Sequence, residues 1–363
     1  MFSAKCGLLV LSRASSSLSK QLHHELTSRT IPLSYDYLYP QQSHLLDLTL
    51  LESLENLVDC SNESKLSTTL PSIKNPPRMQ VGHHLVYFPP QVALSQLLPD
   101  GTDTLHFPGS PFNSRLWAGG RVKFPFPTGI LLDGRRAACL ETIQDVIVRG
   151  RTGEEKVIVK IERRMGTVEE GEEEIDIRQR LLRDDEEQTG NALIVENRDL
   201  VFLRNKTEDL VNHENDRLDR TTRILKPPSN AEFRHKIKAS KAMLFRFSAL
   251  TFNAHSIHLD RAYTQGVEGH RDLLVHGPLT LVLLLSTLRR YLAGLEIAIQ
   301  GIEYRNLTPL FVDENFAVCG KPKSGALAGT WDVWIENMSG GLAVRATVHT
   351  ALVEPDKTVN TIP

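Results

Sequence analysis

Phe245-Arg246-Phe247-Ser248-Ala249-Leu250-Thr251-Phe252-Asn253-Ala254-His255-Ser256-Ile257-His258-Leu259-Asp260, followed further on by Val275-His276-Gly277-Pro278, is the stretch whose reading decides the fold. Two histidines and an amide crowd one short segment. The second stretch signals the start of a helix, with Gly277 as N-cap and Pro278, whose fixed φ suits a first turn, as the first helical residue. The run from Leu279 to Leu288 is apolar nearly all round, so this helix must be wrapped by other structure. It meets Arg289 and Arg290 well short of the roughly 20 apolar residues that a bilayer crossing needs, which makes it a core helix. The arginines fall where the helix dipole favours cations, and Gly294 offers a stop. Candidate proton carriers thus stand beside a candidate anion site.

Working outward, four strand-like runs follow the helix: Glu296 to Tyr304, Leu310 to Cys319, Thr330 to Asn337 and Leu342 to Leu352, separated by glycine, proline and asparagine. A core helix followed by a meander of strands is a sheet wrapped round a helix, and this unit is expected over 233-354, with a tail at 355-363. Upstream, an earlier unit at 79-205 repeats the strand-rich pattern with a less distinct helix. Its strands are expected at Arg121 to Phe124, Ala138 to Arg149, Lys156 to Glu162 and Ala192 to Leu203, and Gly119-Gly120 is expected to turn the backbone sharply into the first. Inside it, 167-188 is a charge run from Glu169 to Glu187, read as a solvated insertion and alternatively as a docking surface for a basic partner. The polar stretch 206-232 is a linker. Leucines from Leu45 to Leu57 at near-helical spacing predict a helix within 31-78, followed by a serine- and proline-rich linker.

At 363 residues the chain can bury one large or two medium cores. A formal net charge of -2 argues against a general nucleic-acid binder. Cys6, Cys60, Cys139 and Cys319 lie far apart without paired spacing, so neither a disulfide scaffold nor a zinc ribbon is indicated. From Met1 to His24 there is no acidic residue, while Lys5, Arg13 and Lys20 stand among serines and leucines. That is the composition of a mitochondrial transit peptide, expected over 1-30, and the alternative is a disordered tail.

The histidine segment resembles the signature of the MaoC-like hydratases and dehydratases, Gly-Asp-x-Asn-Pro-aliphatic-His followed by a helix opening in His-Gly. His258 takes the histidine position, Ile257 the aliphatic one, Asn253 the aspartate one and His255 the asparagine one; Phe252 replaces the glycine and Ser256 the proline. The form found here looks like the branch holding the mitochondrial hydroxyacyl-thioester dehydratases of type 2 and the mesaconyl-CoA hydratases. His83-His84-Leu85-Val86-Tyr87-Phe88-Pro89-Pro90, Asp100-Gly101 and Arg115-Leu116-Trp117-Ala118-Gly119-Gly120 resemble its N-terminal half. The resemblance implies an α+β tandem (double) hotdog, each half an antiparallel sheet wrapped around a central helix. Because the His/Asn motif occurs once, one active site per chain is expected, with the first unit supplying a wall of the acyl tunnel.

The implied chemistry is reversible loss of water from a (3R)-3-hydroxyacyl thioester to give the trans-2-enoyl thioester. Such a site combines a base with a group that stabilises enolate charge. His258 is the expected base, the Gly277 N–H the expected oxyanion donor, and Asn253 the group that orients the hydroxyl; an amide there cannot act as a carboxylate base. His255, Asp260 and His276 are expected to support them, with Asp260 equally readable as the cap of a local turn. His255 and His258 also have the spacing of a zinc pair, but no third or fourth ligand follows, so no metal is expected. No cofactor is expected either, since the substrate arrives on the phosphopantetheine of acyl carrier protein or on CoA. The basic run Arg234, His235, Lys236, Lys238, Lys241 and Arg246 has two readings: a receiver for an acidic carrier or its phosphates, and a solvated edge strand kept from aggregating by its lysines. Hydration of a short branched diacid such as mesaconyl-CoA is the alternative enzymatic reading. An acyl-thioester-binding hotdog without turnover is the alternative of another class. A homodimer stays open.

Overall fold

The computed structural model describes residues 17–54, 68–124, 129–182, 192–204 and 225–353. The expected tail at 355-363, most of the 206-232 linker and the acidic end of the charge run lie outside the described residues.

Ten strands form one antiparallel sheet: β1 (Ser34–Tyr37), β2 (Ser114–Lys123), β3 (Arg136–Arg149), β4 (Lys156–Thr167), β5 (Ile194–Leu203), β6 (Phe233–Lys238), β7 (Ile297–Asn306), β8 (Asn315–Pro322), β9 (Gly329–Glu336) and β10 (Leu342–Leu352). Their spatial order is β1-β3-β4-β5-β2-β7-β10-β9-β8-β6. Counted outward from the β2/β7 seam, both directions use the strands of a half in the same sequence, so the sheet is two five-stranded halves joined edge to edge. This is the double hotdog. The seam runs from Gly119 opposite Arg305 to Lys123 opposite Gly301. Gly119 and Gly120 do not turn the chain into the strand as expected; they lie inside it, next to a bulge after Trp117. Glycine is required there because both neighbours crowd the backbone: a Cβ on Gly119 would stand 2.3 Å from the Tyr304 oxygen, and one on Gly120 2.0 Å from that of Asn197.

The helices are α1 (17–27), α2 (Pro40–Leu54), α3 (Glu174–Leu182), α4 (Lys241–Leu250), α5 (Arg261–Gly266) and α6 (Gly277–Tyr291). Helix α6 is the expected core helix. Leu279, Leu281, Val282, Leu283, Leu284, Leu285 and Leu288 are all buried, because strands meet it on one side and α2 and the His83–Val86 3-10 turn on another. Its start differs by one residue from expectation. His276 is the extended N-cap and Gly277 the first helical residue, with Pro278 second. Among the described residues of the first half it is the 3-10 turn at His83–Val86 that meets α6, where Gly82 approaches Leu285, which is why its helix is indistinct in the sequence.

Three expected boundaries move. The first half begins long before residue 79, since β1 pairs with β3 in the range taken for a helix and linker; four residues carry too little periodicity to be read as a strand. A leader reaching residue 30 conflicts with α1, which buries Leu22 and Leu26 against Ile143, Val159 and Phe202. Residues 1–16 of the expected leader lie outside the described residues. The charge run is not wholly solvated, because α3 buries Ile177 and Leu181, one turn apart, against Leu33, Leu140 and Val195.

Candidate active site

The histidine segment is built by a chain of short-range caps. Helix α4 opens with the Ser240 hydroxyl accepting the Met243 N–H, and after its end Phe252 adopts a left-handed φ of 52° that reverses the chain. Asn253 Oδ1 then accepts the His255 N–H at 3.0 Å, which opens a 3-10 turn, Ser256–His258. Asp260 is exposed and accepts the Tyr263 N–H at 3.0 Å, capping α5. Of its two readings, a cap for a local turn or a partner for a histidine, the structure shows the cap.

His258 is fixed at the tip of α6. Its Nδ1–H donates to the Leu274 carbonyl at 2.8 Å, while the Leu274 N–H donates back to the Ile257 carbonyl. The ring stacks on His276, the α6 N-cap, with centroids 3.7 Å apart. His276 is held in turn by the Ser248 hydroxyl at 2.8 Å from Nε2 and by the edge of Phe247. His255 meets His258 edge to face at 5.5 Å. A carbonyl can only accept, so Nδ1 of His258 carries the hydrogen and Nε2 keeps a lone pair.

Burial keeps all three imidazoles neutral. It lowers His258 to about 4, against the Leu274 hydrogen bond, which raises it, and together with the nearby Arg115 charge. His255 and His276 lie well below the ordinary histidine range, again through burial first and then through the neighbouring histidines. The cluster is thus a base at neutral pH, not a cation.

These residues open onto a cavity of about 1080 Å³, lined by Asn253, His255, His258 and Gly277 from the second half and by Arg115, Trp117 and Leu200 from the first. Its volume suits an acyl chain with part of a pantetheine arm. Exposed Phe245 and Phe252 also line it and mark its opening. Gly277 stands in the first turn of α6, where backbone N–H groups have no intrahelical acceptor and the dipole is positive. A Cβ there would lie 2.9 Å from that of Trp117. Arg234, Lys236 and Lys238 do not line the cavity. They project from β6, the last strand of the sheet, where Arg234 pairs with Glu336. Arg246 is exposed between the lining residues Phe245 and Phe247.

Sequence reasoning missed several participants. Asp100 approaches His255 Nε2 at 3.6 Å, and Ser248 holds His276. The far wall carries ion pairs, Arg115 with Asp103, Arg163 with Glu141, and Arg198 with Glu196, the last arginine lying over the Trp117 ring. No local spacing signals them, because each meets the site only through the folding of one half against the other. Among the described residues no group of three or more potential ligands is placed to hold a metal ion, and no helix is long and apolar enough to cross a membrane.

Residues 82–312 match the hydroxyacyl-thioester dehydratase type 2 family. The mesaconyl-C(4)-CoA hydratase of Chloroflexus aurantiacus is 30% identical over 268 residues, covering 73% of this chain and 81% of that protein. The mitochondrial hydroxyacyl-thioester dehydratase type 2 of Schizosaccharomyces pombe is 25% identical over 272 residues, 73% of this chain and 82% of its own length. In three dimensions a MaoC-like dehydratase from Phytophthora capsici superposes with a TM-score of 0.55 at 11% identity, covering 93% of this chain and 99% of that one, which supports the fold. The motif, the double hotdog and these likenesses converge: the chain belongs to the hydroxyacyl-thioester dehydratase type 2 family of MaoC-like enzymes.

Proposed function

We propose that this protein dehydrates (3R)-3-hydroxyacyl thioesters to trans-2-enoyl thioesters, reversibly, on acyl carrier protein in mitochondrial fatty-acid synthesis. The observation that carries the chemistry is the free Nε2 of neutral His258 at the tip of α6, inside an acyl-sized cavity. Nε2 takes the α-proton. The negative charge that grows on the thioester oxygen is met by the Gly277 N–H and the positive end of the helix. The C–O bond then breaks, and the proton held by His258 passes to the departing oxygen, so water leaves. Asn253, whose Oδ1 is engaged by the His255 N–H, is left with its amide N–H groups to orient the hydroxyl. The carrier and compartment rest on the likeness to the yeast mitochondrial enzymes and on the acid-free start of the chain. Arg246 near the opening, with Lys236 and Lys238 on the edge strand, would meet an acidic carrier.

A second reading is hydration of mesaconyl-C4-CoA or a related enoyl-CoA. The 30% identity to the Chloroflexus protein favours it, as do the arginines among the cavity's lining residues, which suit a polar acyl group. Purified protein incubated with a 3-hydroxyacyl carrier protein, crotonyl-CoA and mesaconyl-CoA, followed at the enoyl-thioester absorbance, decides among them. Highest kcat/KM for the carrier-protein substrate is the expected result. Preference for mesaconyl-CoA establishes the second reading, and saturable binding without an absorbance change leaves a thioester binder.

A further inference from the structure

The segment of the second half that carries the histidines brings no carboxylate into the cavity: Asn253 is an amide, and Asp260 is spent on capping α5. The fold sets one from the other half, Asp100, behind His255, which lines the cavity. The turn Leu98 to Thr102 closes on itself by two backbone hydrogen bonds and docks onto the histidine turn, with the Asp100 carbonyl accepting the Ser256 N–H at 2.8 Å. The docking is close enough to demand glycine next door, since a Cβ on Gly101 would stand 2.1 Å from the Ala254 oxygen. Within this turn Asp100 Oδ1 accepts both the N–H and the hydroxyl of Thr102, at 2.9 and 2.7 Å. Its other oxygen, Oδ2, is turned to His255 Nε2 at 3.6 Å. Asp100 is 5% exposed and His255 4%, and these two facing atoms have no hydrogen-bond partner. Buried polar atoms are normally paired, so two unpaired ones, an acceptor opposite a possible donor, identify each other as partners that a small side-chain rotation closes.

We infer that Asp100 is a positioning residue supplied by the first half, which sets the hydrogen of His255 on Nε2 so that His255 Nδ1 presents a lone pair to the substrate hydroxyl. This rests on the dehydratase reading above. His255 is then a second imidazole in the reaction, with a different task from His258. The β-hydroxyl donates its hydrogen to His255 Nδ1, which turns the oxygen's lone pairs toward His258. His258 Nε2 removes the α-proton and returns it to that oxygen as the C–O bond breaks and the C=C bond forms. The hydroxyl keeps its own hydrogen, so one proton moves within the site, none is drawn from His255, and water departs. The neutral state of buried His255 agrees with this task, since an acceptor nitrogen is needed and not a cation.

The test is Asp100→Asn in the full-length protein. An asparagine retains the Thr102 contacts through its carbonyl oxygen and turns an N–H toward His255 Nε2, which forces the ring hydrogen onto Nδ1. The expected result is a kcat about 100-fold lower with KM within about threefold. The 15N shifts of His255 in histidine-labelled protein should report hydrogen on Nε2 in the wild type and on Nδ1 in the variant. An unchanged kcat in folded D100N, or a wild-type His255 with its hydrogen on Nδ1, overturns the inference. If D100N fails to fold, the wild-type tautomer decides alone. Wild-type protein with no turnover of any acyl thioester would sink the dehydratase reading, while the tautomer would still test the pairing.

Discussion

On the proposed mechanism the surroundings of His258 divide the labour of its two nitrogens: the Leu274 carbonyl takes the hydrogen of one and leaves the other for the cavity that His258 lines. His258→Gln places an amide in similar space without a basic nitrogen, so kcat should fall by about 10²–10⁴-fold with little change in melting temperature, as read from enoyl-thioester absorbance and thermal melts. Because burial lowers this histidine to about 4, wild-type kcat/KM should run flat from pH 8 to 6. An inflection near the ordinary histidine value of about 6.5 would show that the base is another group. At this scale the sequence was legible where the chemistry is local. His258, His255 and Gly277 sit in one motif, and all three line the cavity. Asp260 stayed open between a cap and a histidine partner because an aspartate before a short helix suits either by sequence, and Asp100 stayed hidden because nothing near it in the chain marks its partner.

Helix α6 shows which features of an element can be read from its residues. An all-round apolar face forces burial, and Leu279 to Leu288 are buried as that requires. What the residues do not state is how closely the helix tip is approached. Glycine inside a helix is ordinarily about 1 kcal/mol worse than alanine, so Gly277→Ala would be expected to stabilise the protein. Here the added Cβ meets Trp117 Cβ at 2.9 Å and Asn306 Nδ2 at 3.0 Å. Trp117 lies in the strand that forms the seam and cannot retreat freely, so the clash outweighs the propensity. Gly277→Ala should lower the melting temperature by several degrees and kcat by about tenfold or more, as the oxyanion donor shifts, measured by calorimetry and steady-state kinetics.

The whole molecule is a repeat whose halves have diverged: identical strand order on both sides of the seam, with the long core helix α6 in one half and the short 3-10 turn His83–Val86 facing it from the other. The amino-terminal helix is part of this body. Removing residues 1–30 strips two buried leucines, Leu22 and Leu26, and should cost about 3–6 kcal/mol by denaturant unfolding. Buried imidazoles also set the response to acid. His83 is lowered by burial, and by nearby Arg289, to about 3; burial likewise lowers His84 and His258 to about 4. Between about 6.5 and 4 the unfolded chain binds more protons than the native one, so stability falls as pH falls through that window and is recovered above it. Each such group costs about 2 kcal/mol at pH 5 relative to pH 7. A melting temperature lower at pH 5 than at pH 7 is the expected outcome, and equal values would show these histidines to be protonated in the fold. By itself the sequence determined the histidine motif that lines the cavity, the core helix and nearly every strand, because each is a local pattern in which neighbouring residues carry the signal. Only the tertiary structure decided where the first half begins, why Gly119 and Gly120 must be glycine, and which carboxylate faces His255, because those are contacts between distant residues whose energy appears only when the two halves close on one another.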